Sequence, residues 1–156
     1  MVFVTLGTQD KEFPRLLDEV EKLIDRGIIN EEVVAQVGST NFSSNKIKIV
    51  DYLSRNDLLK YIKDADYIIT HGGVGTIIDS LNLNKKVIAV PRLKKYKEHV
   101  NDHQLEIVNE FSKLGYILDG NNLEQAIYKL DNFIPKKYES NNSNFVNLID
   151  EYIINN

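Results

Sequence analysis

One stretch limits the possible folds more than any other: "YIITHGGVGTIIDSLNLNKKVIAVP", residues 67–91. Two apolar runs, "YIIT" and "VIAV", show no alternation of polar and apolar residues, which is the pattern of strands buried on both faces. Between them lie a histidine, three glycines and a short segment with helical spacing. A buried strand, a helix and a second buried strand make a βαβ unit, and such units build a parallel sheet covered by helices on both sides.

The rest of the chain repeats the alternation. "VFVTL" (2–6), "VVAQV" (33–37), "IKIVDYL" (47–53) and "YIL" (116–118) read as strands. Helices are predicted over "FPRLLDEVEKLIDRG", 55–66, 76–83, "HQLEIVNEFSKLG" and "NLEQAIYKLDNF", with a last amphipathic helix carrying Phe145, Leu148, Ile149, Tyr152 and Ile153. In the first helix Leu16, Leu17, Val20, Leu23 and Ile24 recur at helical spacing, Pro14 suits its start and Gly27 the position just past its end. The segment from Pro91 to Asp102 reads as loop. The expected fold is an α/β, Rossmann-like doubly wound parallel sheet in one domain, 1–156. Ligands of such sheets sit beyond the carboxyl ends of the strands at a switch point, which singles out the loops after Leu6 and Thr70.

Glycine is costly in ordered structure because it loses the most backbone freedom on folding. His71-Gly72-Gly73-Val74-Gly75-Thr76 places that cost where a strand hands over to a helix. A helix N-terminus carries unpaired N–H groups and partial positive charge, and bare glycines let an anion approach it closely. The segment therefore suits a diphosphate cradle, with Thr76 adding a hydroxyl. A tight turn needing positive φ, with no ligand, explains the glycines equally well. No Gly-Lys-Ser/Thr follows, so the segment is not a P-loop, and its glycine spacing and position differ from a dinucleotide fingerprint. Asp79, three residues past Thr76, is placed either to hold a ribose hydroxyl pair or to serve as an ordinary surface or capping carboxylate.

A second polar cluster, His99, Asn101, Asp102, His103 and Gln104, follows "VIAVP". His99 and His103 are four apart, but no glutamate follows the first as in HExxH and the segment reads as loop, so zinc is a poor fit. Asn101 or Asp102 can cap the following helix. No Asp-x-Asp pair is present, and neither metal nor cofactor is expected.

Composition narrows the classes further. The net charge of −4 argues against nucleic acid as a partner, and the absence of cysteine suits a reducing compartment. "MVFVTLGTQD" has no basic leader, and no apolar run approaches the roughly 20 residues that cross a bilayer. A cytoplasmic chain is expected, meeting a membrane through a partner.

Taken together, "YIITHGGVGTIIDSLNLNKKVIAVPR" and "NDHQLEIVNEFSKLGYIL" resemble the nucleotide-sugar-binding, C-terminal half of the family 28, GT-B type glycosyltransferases. The opening "VFVTLGTQDKEFPRLLDEV" is similar to a shorter branch in which this half is a separate polypeptide. That branch includes the subunit adding the second GlcNAc to dolichol diphosphate GlcNAc. It also includes PssE/EpsF-type subunits of exopolysaccharide and capsule synthesis, toward which "EHVNDHQLEIV" leans.

The resemblance implies a UDP-sugar donor. Gly72, Gly73, Val74, Gly75 and Thr76 would face its diphosphate and Asp79 its ribose, where the wider family usually has glutamate. Asn101, Asp102, His103 and Gln104 would approach the donor sugar, with Gln104 the main contact to its hydroxyls. Gly7 and Thr8 would line the cleft, and the uracil would lie near "IVDYL". The implied reaction is inverting transfer of a hexose to a lipid-diphosphate-linked saccharide. His71 and His103 are the candidate catalytic side chains, His71 either donating to a phosphate oxygen or fixing its loop. A chain of 156 residues accommodates one half of a GT-B enzyme, so a membrane-anchored partner subunit is expected to bring the acceptor and is a second candidate source of the base. A bulky residue at Gly73 is expected to abolish UDP binding with the fold intact. Two rivals are a UDP-sugar epimerase, which needs both halves in one chain, and a nucleotide-sugar-binding regulatory module without catalysis.

Overall fold

The computed structural model describes residues 1–139. Six strands form one parallel sheet: β1 (Val2–Thr5), β2 (Val33–Gln36), β3 (Lys48–Val50), β4 (Tyr67–His71), β5 (Val87–Val90) and β6 (Leu118–Asp119). Their spatial order is β3-β2-β1-β4-β5-β6. The chain builds outward from β1 to β3, then returns to pair β4 against the other side of β1. The reversal lies between β1 and β4, where Thr5 is in register with Thr70. This doubly wound α/β sheet is the one the alternating pattern predicts.

Helices cover both faces because successive strand residues point to opposite sides. Val2, Val4, Ile69 and Ile88 join Leu16, Leu17, Val20 and Leu23 of α1 (Pro14–Asp25) and Leu123 and Ala126 of α5 (Leu123–Lys129). Phe3, Ile68, Val87 and Ala89 meet the other three helices. Those contribute Ile62 of α2 (Arg55–Asp64), Ile77 and Leu81 of α3 (Val74–Asn82), and Ile107, Val108 and Phe111 of α4 (His103–Lys113). Each of the larger of these side chains (Val, Leu, Ile, Phe) taken fully out of water stabilises the fold by about 1.5–3 kcal/mol. Pro14 opens α1, and Gly27, at φ +71°, lets the chain turn away after it.

Several boundaries differ from the sequence reading. α3 begins at Val74 rather than 76, so Gly75 and Thr76 belong to its first turn. The third strand is three residues long, because Asp51 and Tyr52 leave the ladder once β2 ends. Tyr116 and Ile117 are buried ahead of β6 and do not pair in it. The loop after β5 contains a single 3-10 turn, Lys94–Tyr96, and α5 tightens into another over Leu130–Asn132. The expected helix around Phe145–Ile153 lies outside the described residues. Among those described, no helix is long and apolar enough to cross a membrane.

Candidate functional site at the sheet reversal

The loops after β1 and β4 meet around the imidazole of His71. A β-carbon on Gly7 would lie 2.5 Å from His71 Nε2, and one on Gly73 would fall on His71 Cε1. Both glycines are bare because the ring occupies the space a side chain would take. Gly7 also needs its freedom for φ +78°. Gly72 is bare for another internal reason: its β-carbon would meet Gln104 Cβ at 2.9 Å. Gly75 alone of the three glycines at this turn faces open space, with no described atom within 4 Å of the place a β-carbon would take.

That division explains why the turn holds so much glycine. Gly72 and Gly73 let β4, α4 and the histidine pack closely, while Gly75 exposes the helix end. The N-cap of α3 is Gly73, which has no side chain to bond the first turn, and that turn carries no acidic residue. Backbone N–H groups of Val74, Gly75 and Thr76 therefore lack intrahelical partners at the positive end of the helix.

Gln104 points inward. Its Oε1 accepts the backbone N–H of Gly72 and of Arg92, each at 3.0 Å, and its Nε2 lies 3.2 Å from His71 Nδ1. It is 4% exposed. The sequence reading turned this amide toward sugar hydroxyls; in the structure it braces the histidine and two loops. Burial, with the nearby Arg92 guanidinium acting in the same direction, pulls His71 down to about 3. The ring is neutral at physiological pH.

Asp102 is the N-cap residue of α4 but makes no side-chain cap bond; Asn101, one residue earlier, closes a turn into the helix, its Oδ1 accepting the His103 N–H at 3.0 Å. Asp102 accepts the Lys94 N–H instead, at 2.9 Å, and so anchors the 3-10 turn. His103 is the first residue of α4 and is half-buried. Thr8 is exposed on the β1 loop. Asp79, in the second turn of α3, is paired with both terminal nitrogens of Arg55, the first residue of α2, at 3.0 and 3.1 Å. Among the described residues no group of three His, Asp or Glu side chains converges as a metal-ligand set.

Three features escaped the sequence reading. Arg92, 1% exposed, donates to the carbonyls of Leu6 (2.6 Å), Lys11 (2.7 Å) and Glu98 (3.1 Å), with Phe13 beneath its guanidinium. It ties the β1 loop to the loop after β5, and burial lowers it to about 10. Buried Glu98 is matched by Arg15, which donates to both its oxygens at 3.0 Å. A polar row crosses the ends of β2, β1 and β4: Thr5 Oγ1 donates to Gln36 Oε1 at 2.6 Å, and Gln36 Nε2 donates to the carbonyls of Gly7 and Asp51. Thr70 Oγ1, next in that row, is buried with no hydrogen-bond partner among the described residues. Only the arginine directly after "VIAVP" offered a signal, since a charge following a buried strand is unusual.

A doubly wound sheet of this order, with an open, glycine-capped helix N-terminus at its reversal, defines a Rossmann-like α/β domain of the kind that forms half of GT-B glycosyltransferases. A model of the glycosyltransferase family 28 C-terminal domain matches residues 1–153. The chain belongs to that family, as its sequence resemblance implied.

Curated relatives agree. The chain is 32% identical over 112 residues to the UDP-N-acetylglucosamine transferase subunit ALG13 of Candida albicans, covering 72% of this chain and 35% of that one. It is 32% identical over 130 residues to the protein of the same name from Candida glabrata, covering 79% of this chain and 61% of that one. The chain thus spans only part of these relatives. Among solved structures, an NMR structure of ALG13 superposes with a TM-score of 0.58 at 22% identity, covering 94% and 93% of the two chains. The Methanocaldococcus jannaschii UDP-GlcNAc 2-epimerase, solved with UDP-GlcNAc and UDP, gives 0.59 at 19%, covering 87% of this chain and 39% of that one. At these identities the likeness shows the fold.

Proposed function

We propose that the chain is the donor-binding, catalytic subunit of a UDP-sugar-dependent inverting glycosyltransferase. The carrying observation is the first turn of α3, whose N–H groups open at the sheet reversal beside the one turn glycine that faces free space. Membership of family 28 supports the reading, as do relatives named as subunits of a UDP-N-acetylglucosamine transferase.

In this reading the diphosphate of the donor lies against the N–H groups of Val74, Gly75 and Thr76, with His71 as a neutral donor beside them. Asp79 receives the ribose hydroxyls. As the bond from the sugar anomeric carbon to the diphosphate oxygen breaks, negative charge gathers on the departing UDP. Donors already in place stabilise that charge more in the transition state than in the ground state. The acceptor hydroxyl attacks the opposite face of the anomeric carbon and gives its proton to a base. His103, half-buried at the start of α4, is the candidate on this chain; the facing half of the cleft supplies the alternative.

A membrane-anchored partner subunit provides that facing half and presents a lipid-diphosphate-linked saccharide. The chain then works at the cytoplasmic face of the membrane through its partner. The relatives' names make N-acetylglucosamine the first donor to test. Assignment to exopolysaccharide or capsule synthesis rests on the resemblance of the "EHVNDHQLEIV" stretch alone.

Calorimetric titration with UDP tests the donor site, with micromolar to millimolar binding expected. Sugar transfer from UDP-GlcNAc to a lipid-diphosphate acceptor, measured with and without a candidate membrane-anchored partner subunit, tests catalysis. Binding without transfer in either mixture would favour a nucleotide-sugar-binding regulatory module.

A further inference from the structure

We propose that Gln104 is a positioning residue that fixes the tautomer of His71, so that Nδ1 is bare and Nε2 always carries the proton. The orientation of the amide is fixed by its partners. Its oxygen accepts two backbone N–H groups, from Gly72 and Arg92, both at 3.0 Å. Only an oxygen can accept both, so the atom facing His71 Nδ1 at 3.2 Å is the NH2 group, a pure donor. A donor facing Nδ1 requires a lone pair there, and a neutral imidazole with a bare Nδ1 carries its proton on Nε2.

The rest of the pocket enforces the same state. The Arg92 guanidinium and His99 are the charged and titratable groups that act on the ring, and both oppose a second proton on it. The backbones of Gly7 and Gly73 pass so close to the ring that a β-carbon on either would collide with it. His71 is thereby held as a neutral Nε2–H donor at the sheet reversal, next to the open first turn of α3. Gln104 never touches the ligand in this arrangement; it acts through the histidine. The use of that N–H for a diphosphate oxygen rests on the function proposed above, whereas the tautomer does not.

The test uses the full chain with nitrogen-15 labelled histidine. In the ligand-free wild type, Nδ1 of His71 should resonate as an unprotonated ring nitrogen and Nε2 as a protonated one, unchanged between about pH 5 and about pH 8. Gln104→Glu keeps an acceptor for the two backbone N–H groups and loses the donor to Nδ1. The proton should then move to Nδ1, facing the carboxylate, and Nε2 should become an acceptor. UDP binding should fall about 10- to 100-fold relative to wild type. That ratio should recover toward one as the pH drops and the new carboxyl is protonated. Gln104→Met, which removes the acceptor as well, should also weaken binding, without such recovery. A proton on Nδ1 in the wild type, or an unchanged tautomer in Gln104→Glu, overturns the proposal. Failure of UDP to bind wild type with the expected tautomer in place overturns the donor-site reading and leaves the role of Gln104 standing.

Discussion

Arg55 reaches from the first residue of α2 to both carboxylate oxygens of Asp79 in the second turn of α3, at 3.0 and 3.1 Å. The arginine side chain is 68% exposed and the carboxylate 16%. A paired planar fork holds a carboxylate in one orientation and leaves its outward lone pairs free. This matters because aspartate stands where longer glutamates are usual in the resemblance: the arginine sets where the shorter side chain points.

Asp79→Ala should therefore weaken UDP binding by roughly 1.5–3 kcal/mol, the value of a charge-assisted hydrogen bond. Inorganic pyrophosphate, which has no ribose, should bind both proteins alike. Arg55→Ala should weaken UDP less than Asp79→Ala and leave the melting temperature unchanged, because an exposed ion pair adds little to stability. Calorimetry and a thermal melt decide both; equal UDP affinity for wild type and Asp79→Ala removes Asp79 from the site.

The glycines separate packing from binding. Gly73→Ala drives a methyl into the His71 ring and should cost about 1–3 kcal/mol of stability together with ligand binding. This corrects the expectation that a side chain at Gly73 would spare the fold. Gly75 is the cleaner probe. Gly75→Ala meets no described protein atom and should stabilise the chain by about 0.4–1 kcal/mol, yet its methyl should weaken UDP binding. Urea titration beside calorimetry reads the two effects separately.

Arg92→Met should lower stability by about 2–4 kcal/mol. It leaves the carbonyls of Leu6, Lys11 and Glu98 without their donor, although it also relieves the burial of a guanidinium. The urea midpoint should fall with the slope unchanged. Because the β1 loop is held from this residue, UDP affinity should fall as well.

His71 predicts an acid limit. Its pKa is about 3 in the folded chain and near the ordinary imidazole value when unfolded. Above about pH 6.5 the ring is neutral in both states and contributes no pH dependence. Below that, the unfolded chain takes up a proton the folded one refuses. Stability is lost with a slope approaching about 1.4 kcal/mol per pH unit, until the folded ring itself titrates. His99, also lowered by burial, adds in the same sense. A series of urea melts from neutral to acid pH should show this slope, and His71→Asn should flatten it.

Sequence by itself determined the parallel sheet. Unbroken apolar runs such as "VFVT" and "VIAV" have no polar face to show to water, so helices must cover both sides, and the helical spacing of Leu16, Leu17, Val20 and Leu23 supplies one of those covers. It also located the reversal, because strand-glycine-helix junctions carry local signals in composition and spacing. What it left open was what each side chain there faces. Gly73 and Gly75 look alike as letters; one is bare for a histidine ring at the end of the preceding strand and the other for open space. Apart from Glu98, six positions from Arg92, the partners of Gln104, Arg92 and Arg55 lie 12 to 86 positions away in the chain. Such pairs form only when the sheet order brings distant loops together, and no local propensity encodes them. The tertiary structure therefore decided the inward turn of Gln104, the protonation of His71 and the hold of Arg55 on Asp79, since each follows from burial and long-range hydrogen bonding rather than from neighbours in sequence.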